Sequence, residues 1–377
     1  MALSDRFARI ALSAVAASII VVGCAGQNDP IRIGVAGALT DPIGAPMRKA
    51  ARLAVGEINA SGGIGGRRLE LVERDDYANP DSAVFVATDL YHSDVVAVVG
   101  HLYSGTTLAA SPVYNSGPRP LVAISPSSSS PEVARAGDYT FRVCPSDLAH
   151  GAALARWVRD RLHLRVGSVL YLNDEYGRGV RQTFVQEFVR LGGQVTSIDP
   201  YLGSVPDVAP YLDRMVRRER PEFLVVAGNK DEAAEILRQA RRRGLTMPVL
   251  GADGLEGIEQ TGALAEGVYE SAAYLPSTSN ESNRRFVRAF HDAYPDAAPP
   301  NQPAAATYDA IYLLRDVIAR AGTGRESIRR ALAETGSTAP AFQGVTGSLA
   351  FDAVGDVPTK KVFIGVVRGG AVFAAEE

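Results

Sequence analysis

The sequence predicts an α/β protein that contains two doubly wound parallel sheets, and three observations support this fold class. Short apolar runs alternate with amphipathic stretches, which is the pattern of βαβ units. The pattern starts twice, first at Ile31 and again at Val166. The chain has 377 residues, which exceeds the roughly 100–200 residues of one domain. We therefore expect two similar sheets in tandem, with a boundary near residues 142–145.

The predicted strands are mostly continuous apolar runs with many β-branched residues, as expected for parallel strands that are buried on both faces. In chain order they are 31–36, 69–73, 95–100, 121–124, 166–172, 194–198, 223–228 and 249–251. Two more strand-like runs, 345–351 and 361–367, lie near the end of the chain.

The predicted helices are stretches in which apolar residues recur with helical spacing. They are 47–59, 81–92, 148–162, 179–191, 208–218, 231–243, 283–294, 304–320 and 326–335. The serine-rich segment 125–131 is bracketed by prolines, which favours an ordered loop.

Composition and motif spacing exclude several function classes. A formal net charge of −3 argues against nucleic-acid binding, which requires a concentrated basic surface. The two cysteines cannot form a disulfide framework or a cysteine-rich zinc site, and Cys144 is expected to be a buried small side chain. The five histidines lack metal-ligand spacing, so we expect neither a metal nor another cofactor. The GGIGG motif at 62–66 precedes a strand, in the reverse of the nucleotide-binding order, and predicts a helix end followed by a left-handed turn.

The N-terminus has the pattern of a bacterial lipoprotein signal. Arg6 and Arg9 precede an apolar run at 10–22, which is too short to span a bilayer. The run leads into Val-Val-Gly-Cys, which resembles a lipobox with Cys24 as the lipidated first residue of the mature protein. The alternative is a chance cysteine at the end of a signal peptide. We expect residues 1–23 to be the signal peptide, residues 24–29 a tether, and the mature protein to be extracytoplasmic.

Two polar loops follow neighbouring predicted strands, Gly100–Thr107 and Ser125–Pro131. Ligands of open parallel sheets bind beyond the carboxyl ends of the strands, where hydroxyls and free helix N–H groups can hold a carboxylate. The alternative for Ser104 is plain N-capping of the next helix. A catalytic pair of His101 and Ser104 is also conceivable, although no GxSxG motif surrounds the serine.

In the second series of strands, an acidic residue also follows the carboxyl end of a strand. Asp253 follows the strand at 249–251, and Tyr176 follows the strand at 166–172. Serine hydroxyls on one side and the Asp253 carboxylate on the other would suit the two charges of a zwitterion, with Tyr176 as an aromatic wall. The alternative for Asp253-Gly254 is an ordinary turn.

These stretches resemble the extracytoplasmic solute-binding proteins of the leucine/isoleucine/valine-binding type, which have the type I periplasmic-binding fold. The resemblance spans about residues 31–370 and is carried by the segments 31–37, 57–64, 100–104, 108–112, 124–126, 176–179, 237–241 and 351–356. It implies two doubly wound lobes joined by a three-segment hinge. Lobe I would contain residues 30–142 and 276–346, and lobe II residues 143–275 and 347–377.

The resemblance also implies a ligand and a partner. Serines at 104 and 129 would hold the carboxylate of an amino acid, and the Ser127 carbonyl, the Ser129 hydroxyl and Asp253 would hold its ammonium, with Tyr176 lining the pocket. A membrane ABC permease would receive the ligand from a monomeric binding protein. A sensor of the same fold that signals to a membrane partner is the alternative.

The chain departs from the family at positions that bear on the ligand. The segment 41–49 is shorter and lacks a pocket tyrosine, and Gly228-Asn229-Lys230 replaces a second tyrosine. Ala78 and Tyr103 stand where the family has a disulfide. Tyr103 and Asn229 are therefore also candidate ligand-binding residues, and Lys230 is either a cation in the cleft or a solvated residue at a helix start. The ligand could carry a polar or larger side chain, or be another carboxylate.

Overall fold

The computed structural model describes residues 29–203, 207–277 and 280–375. The signal peptide and the lipidation site at Cys24 predicted above lie outside the described residues. The described chain forms two main sheets, which confirms the predicted α/β class.

The first sheet has five parallel strands in the order β2-β1-β3-β4-β5. They are β1 (Ile31–Gly37), β2 (Leu69–Asp75), β3 (Ala97–Val99), β4 (Ala123–Ser125) and β5 (Thr140–Arg142). The connecting helices are α1 (Ala45–Ala60), α2 (Pro80–His92) and α3 (Ser104–Asn115). The strands β1 and β3 are buried except at Arg32, which explains their largely apolar sequences.

The second sheet has seven strands in the order β14-β13-β10-β9-β8-β6-β7, of which β13 and β14 are antiparallel to their neighbours. The parallel strands are β6 (Val166–Leu172), β7 (Gln194–Tyr201), β8 (Phe223–Ala227), β9 (Val249–Gly251) and β10 (Tyr269–Ala272). The antiparallel pair is β13 (Phe363–Arg368) and β14 (Ala371–Ala374). The associated helices are α4 (Asp147–Arg156), α5 (Glu175–Arg190), α6 (Ala209–Arg214) and α7 (Lys230–Arg242).

Three helices that follow the second sheet in sequence pack against the first sheet. They are α8 (Glu281–Ala293), α9 (Gln302–Ala321) and α10 (Arg325–Glu334). Leu314 and Val317 of α9 belong to the same buried cluster as Ile33 and Val99 of the first sheet. A small hairpin, β11 (Phe342–Gly344) and β12 (Gly347–Leu349), then leads back to β13. The chain therefore passes between the two sheets three times.

The main differences from the predicted elements have local physical causes. Helix α3 was not predicted, because it contains several serine and threonine residues and an internal proline, Pro112. The strand predicted at 345–351 is shorter in the structure, where only Gly347–Leu349 is a strand, because the Asp309 carboxylate binds the N–H groups of Val345 and Thr346 in the turn of a hairpin. The glycine motif forms the predicted left-handed turn, where a Cβ on Gly63 would lie 2.1 Å from the Arg67 carbonyl.

Candidate functional site

Hydroxyl groups bind the two polar loops of the first sheet to each other. The Thr107 and Ser128 hydroxyls lie 2.6 Å apart, and the Ser125 hydroxyl donates to the His101 carbonyl at 2.7 Å. The imidazole of His101 is buried between the Asp76 carboxylate, 2.6 Å from Nδ1, and the hydroxyl of Tyr114. Both ring nitrogens are thus partnered within the core, and His101 is a structural residue and not a base for Ser104.

A buried arginine fixes the serine loop that follows β4. Arg142 ends β5, and its Nη1 donates to the carbonyls of Ser129 and Ser130 at 3.0 and 2.8 Å. Its Nε donates to the Asp356 carboxylate at 2.8 Å, and Nη2 makes a second contact with the same carboxylate. This bidentate pair ties the loop to the segment between β12 and β13, 214 residues away in sequence.

Ser104 lies at the start of α3 and faces this loop. The N-cap position of α3 belongs to Tyr103, which makes no side-chain cap, so the plain capping role considered for Ser104 is wrong. Instead, the Ser104 hydroxyl accepts a hydrogen bond from the Ser130 N–H at 3.2 Å. Ser104 and the serine loop are therefore brought together at one edge of the first sheet.

The Ser129 hydroxyl is buried without a hydrogen-bond partner. Ser129 is 1% exposed, and its carbonyl accepts from the Asp147 N–H at 2.8 Å. The Asp147 carboxyl lies close enough for the Ser129 hydroxyl to lower its pKa, yet both Asp147 oxygens also lack a partner. Burial, with a contribution from the Asp253 charge, raises the pKa of Asp147 well above its usual value. Unpartnered buried groups of this kind are costly unless a ligand completes their hydrogen bonds.

The second sheet contributes a tyrosine and an aspartate that bind each other. The Tyr176 hydroxyl donates to Asp253 Oδ1 at 2.9 Å and accepts from the Gly254 N–H at 2.7 Å. Burial, and then the Asp253 carboxylate, raises the pKa of Tyr176, which stays a neutral donor. His150 Nε2, 3.6 Å from Asp253 Oδ2, is also buried without a hydrogen-bond partner, and burial lowers the His150 pKa.

A carboxylate that follows β9 of the second sheet reaches the start of α9, which packs against the first sheet. Glu256 follows Asp253, and its Oε1 accepts from the Gln302 N–H at the start of α9 at 2.6 Å. The Gln302 side chain in turn donates to the Pro126 carbonyl at 2.9 Å, at the beginning of the serine loop. Burial raises the pKa of Glu256 to about 8. This chain of contacts links the serine loop to the segment that contains Asp253, and we call the region between these two segments the cleft.

The remaining candidates have varied positions. Ser127 is partly buried within the serine loop, and Tyr103 packs against the first core next to Ser104. Asn229 holds the N-cap position of α7 without a side-chain cap. Lys230 lies 3.7 Å from Asp231 and packs against Gly257, so its position fits the helix-start interpretation.

Sequence reasoning missed four residues of this cleft: Asp147, His150, Glu256 and Gln302. The Ser-Asp pair at 146–147 is a recognisable helix start, and it is the only signal that could have directed attention to Asp147. The other three residues, His150, Glu256 and Gln302, could not be recognised because their partners lie in distant segments of the chain.

A separate groove of about 900 Å³ lies between α8, α9 and β11, outside this cleft. The hydroxyls of Tyr308 and Tyr312 both donate there to Glu57, at 2.5 and 2.7 Å. These polar groups satisfy one another, unlike Ser129 and Asp147. Within the described ranges, no cluster of three metal-ligating side chains occurs and no helix is long and apolar enough to cross a membrane.

Comparisons with known proteins agree with this architecture. The family model described as periplasmic binding protein matches residues 30–371. A leucine-, isoleucine-, valine-, threonine- and alanine-binding protein of Pseudomonas aeruginosa is 28% identical over 92% of this chain and 93% of its own length. The isoleucine complex of the substrate-binding protein LivJ from Streptococcus pneumoniae has a TM-score of 0.81 and 27% identity, covering 92% of this chain and 98% of that one. The leucine-binding protein LivK from Thermotoga maritima has a TM-score of 0.82 and 27% identity, covering 91% and 97%.

Proposed function

The chain belongs to the periplasmic binding protein family, whose members are binding proteins and not enzymes, and we propose that it captures an amino acid for an ABC importer. The ligand lies between lobe I, residues 30–142 and 276–346, and lobe II, residues 143–275 and 347–377. The observation that carries the proposal is the buried, unpartnered Ser129 hydroxyl at the cleft. The names of the relatives support an amino acid as the ligand class.

The two walls of the cleft match the two charges of an amino acid. The hydroxyls of Ser104 and Ser129, with the free N–H groups at the start of α3, hold the carboxylate. The Asp253 carboxylate and the Ser127 carbonyl hold the ammonium, and Tyr176 keeps Asp253 in position through its 2.9 Å hydrogen bond. The bound zwitterion thus bridges the lobes and shifts an existing equilibrium between open and closed forms.

Calorimetry with a panel of amino acids tests this site. Ser104→Ala and Asp253→Asn should each weaken binding of whichever amino acid binds the wild type by at least about tenfold, or roughly 1.4 kcal/mol. Ser116→Ala is the matched control, because Ser116 is exposed at the other end of the same helix. Unchanged affinity in both cleft variants would overturn this placement of the ligand.

Delivery to a permease is tested by transport. Deletion of the gene should abolish uptake of the radiolabelled amino acid that binds best, and the wild-type gene should restore it. The Asp253→Asn gene should fail to restore uptake at low ligand concentration. Normal uptake in the deletion strain would contradict a transport role and favour a sensor.

We also propose that Cys24 is lipidated and holds the protein at the extracytoplasmic membrane surface. The support is the lipobox-like sequence and the short segment between Cys24 and the first strand, which begins at Ile31. Acyl chains anchor a protein because each buried CH₂ contributes about 0.8 kcal/mol. Cells that are fed radioactive palmitate should label the wild type and not Cys24→Ala, whereas an unlabelled wild type would refute lipidation.

A further inference from the structure

Beside the Asp253–Tyr176 pair, the second sheet carries another set of acidic and phenolic groups. We call the set formed by Asp174, Tyr201 and Glu232 the acidic corner. Asp174 is the N-cap of α5, Tyr201 ends β7 and Glu232 lies in the first turn of α7. All three positions lie at the carboxyl edge of the second sheet, where parallel strands direct their loops toward the cleft.

Gly228 makes room for this corner. A Cβ on Gly228 would lie 1.8 Å from the Tyr201 hydroxyl, so the tyrosine occupies the space that a side chain at 228 would need. The Gly228 carbonyl lies 2.7 Å from where a Cβ on Gly254 would stand, and the Tyr176 hydroxyl is equally close. The acidic corner is therefore contiguous with the Asp253–Tyr176 wall of the candidate site.

Two polar atoms of the corner are buried without partners. Glu232 is 8% exposed and its Oε2 has no hydrogen bond, and Tyr201 is 4% exposed with an unpartnered hydroxyl. Both residues lie close enough for the Glu232 charge to raise the pKa of Tyr201, beyond the effect of burial. Burial and the nearby Asp231 and Asp174 carboxylates raise the pKa of Glu232, although the adjacent helix N–H groups oppose this.

The cations nearest to the corner in sequence are engaged elsewhere. Lys230 lies 3.7 Å from Asp231 and packs on Gly257. Arg178 binds Glu175 at 3.0 Å and the Asn173 carbonyl at 3.1 Å. An excess of negative charge is left in this part of the cleft.

The opposite wall adds an aromatic ring. Tyr103 precedes Ser104 at the start of α3, and a Cβ on Gly105 would stand 3.3 Å from Glu175 Oε2, so the start of α3 lies beside the start of α5, where Asp174 is the N-cap. Burial raises the pKa of Tyr103, and the charges of Asp41 and Glu232 add to this effect. Carboxylates together with tyrosine rings form the environment in which proteins hold guanidinium and ammonium groups, through charge-assisted hydrogen bonds and cation–π contacts.

We propose that the acidic corner is a subsite for a cationic group and that the ligand is an amino acid with a positively charged side chain. This inference rests on the proposed function, since the zwitterionic end of the ligand occupies the serine loop and Asp253. The cationic side chain donates to Glu232 Oε2 and lies beside the Tyr201 hydroxyl, on the side of the cleft that Tyr103 faces.

Calorimetry with L-arginine, L-lysine, L-citrulline and L-leucine tests the subsite. Citrulline has nearly the shape of arginine without the charge, so the ratio of their affinities isolates the cation. Arginine or lysine should bind the wild type at least tenfold more tightly than citrulline. In Glu232→Gln this advantage should fall below threefold. Asp231→Asn is the matched control, because it removes one charge from the same helix turn at a side chain that is 82% exposed, and it should keep the advantage.

The outcomes separate this inference from the proposed function. Citrulline or leucine binding the wild type as tightly as both arginine and lysine would overturn the cationic subsite and leave amino-acid capture standing. The cationic subsite would also be overturned if Glu232→Gln still bound arginine at least tenfold more tightly than citrulline. Binding of none of the four amino acids would overturn the cationic subsite, and binding of no amino acid in the wider calorimetry panel would contradict the proposed function itself. The wild-type comparison needs no variant, so the test holds even if Glu232→Gln fails to fold.

Discussion

Replacing Arg142 with methionine should strongly destabilise the protein, because this side chain joins β5 to the serine loop and to the segment that contains Asp356. Arg142 is 1% exposed, and it binds the Asp356 carboxylate and the carbonyls of Ser129 and Ser130. Breaking a buried ion pair by removing one partner costs about 3–5 kcal/mol, since the other charge stays buried. Each carbonyl left without a donor adds about 1–3 kcal/mol unless water reaches it.

We therefore expect Arg142→Met to lower the free energy of unfolding by at least about 3 kcal/mol in urea titrations. Asp356→Asn is the matched variant, because it also breaks the ion pair and leaves the buried Arg142 charge without its anion, at a cost of about 3–5 kcal/mol, but both carbonyl bonds to Nη1 remain. Arg142→Met should therefore cost more than Asp356→Asn, by the contribution of the two carbonyls that lose their donor. Arg142→Met should also weaken binding of the best amino acid at least tenfold at temperatures where the variant is folded, because Arg142 no longer fixes the backbone of the serine loop that carries Ser129. A loss of less than about 1 kcal/mol in Arg142→Met, or an equal loss in both variants, would refute this reasoning.

Three further changes have expected outcomes. Gly228→Ala should cost about 1–3 kcal/mol in urea titrations, because its Cβ would meet the Tyr201 hydroxyl at 1.8 Å, and adding Tyr201→Phe should recover most of the loss; no recovery would contradict this cause. Burial raises the pKa values of Glu256 and Glu270 to about 8 from 4.5, so the folded state binds more protons than the unfolded chain between these values. The free energy of unfolding should thus fall as pH rises from about 4.5 to about 8, and Glu270→Gln should flatten this slope, whereas an unchanged slope would exclude Glu270 as a source. Asp309→Asn should cost about 1–3 kcal/mol by thermal unfolding, because the amide turns a donor toward the N–H groups that the carboxylate now accepts; a stability equal to wild type would show that the hairpin does not need them.

The parts of the fold that depend on local apolar pattern could be predicted from the sequence. The strands β6 and β9 have the predicted bounds, and both are short runs rich in Val and Leu between polar segments. Strand β5 was missed because it ends in Arg142, whose burial depends on a carboxylate 214 residues away. Strand β10 was missed for a similar reason, since it buries Glu270 and Ser271.

For the candidate site, the sequence indicated positions at strand ends but not the partners of the side chains. Ser104, Ser129 and Asp253 follow strands, which is visible in the pattern. That Ser129 lacks a partner while Ser125 and Ser128 are engaged in the loop network depends on the folded loop, because all of them are serines in one short segment. The absence of a side chain at 228 was recognised as a departure, but only the packing of Tyr201 shows what fills the space.

The buried polar groups without hydrogen-bond partners give a physical reason why the proposed closure of the cleft would depend on a ligand. The Ser129 hydroxyl and Glu232 Oε2 are both buried without a hydrogen-bond partner. Each such group costs about 1–3 kcal/mol, and more when it is charged, so the proposed closure of the lobes without a ligand would be disfavoured by several kcal/mol. A ligand that supplies an acceptor or donor to each removes this cost in the closed form only. A shift from 1% to 99% of the closed form requires the ligand to bind that form about 5.5 kcal/mol more tightly than the open form. A few such groups are sufficient to supply this difference, so that the closed form would be populated mainly when a ligand is bound.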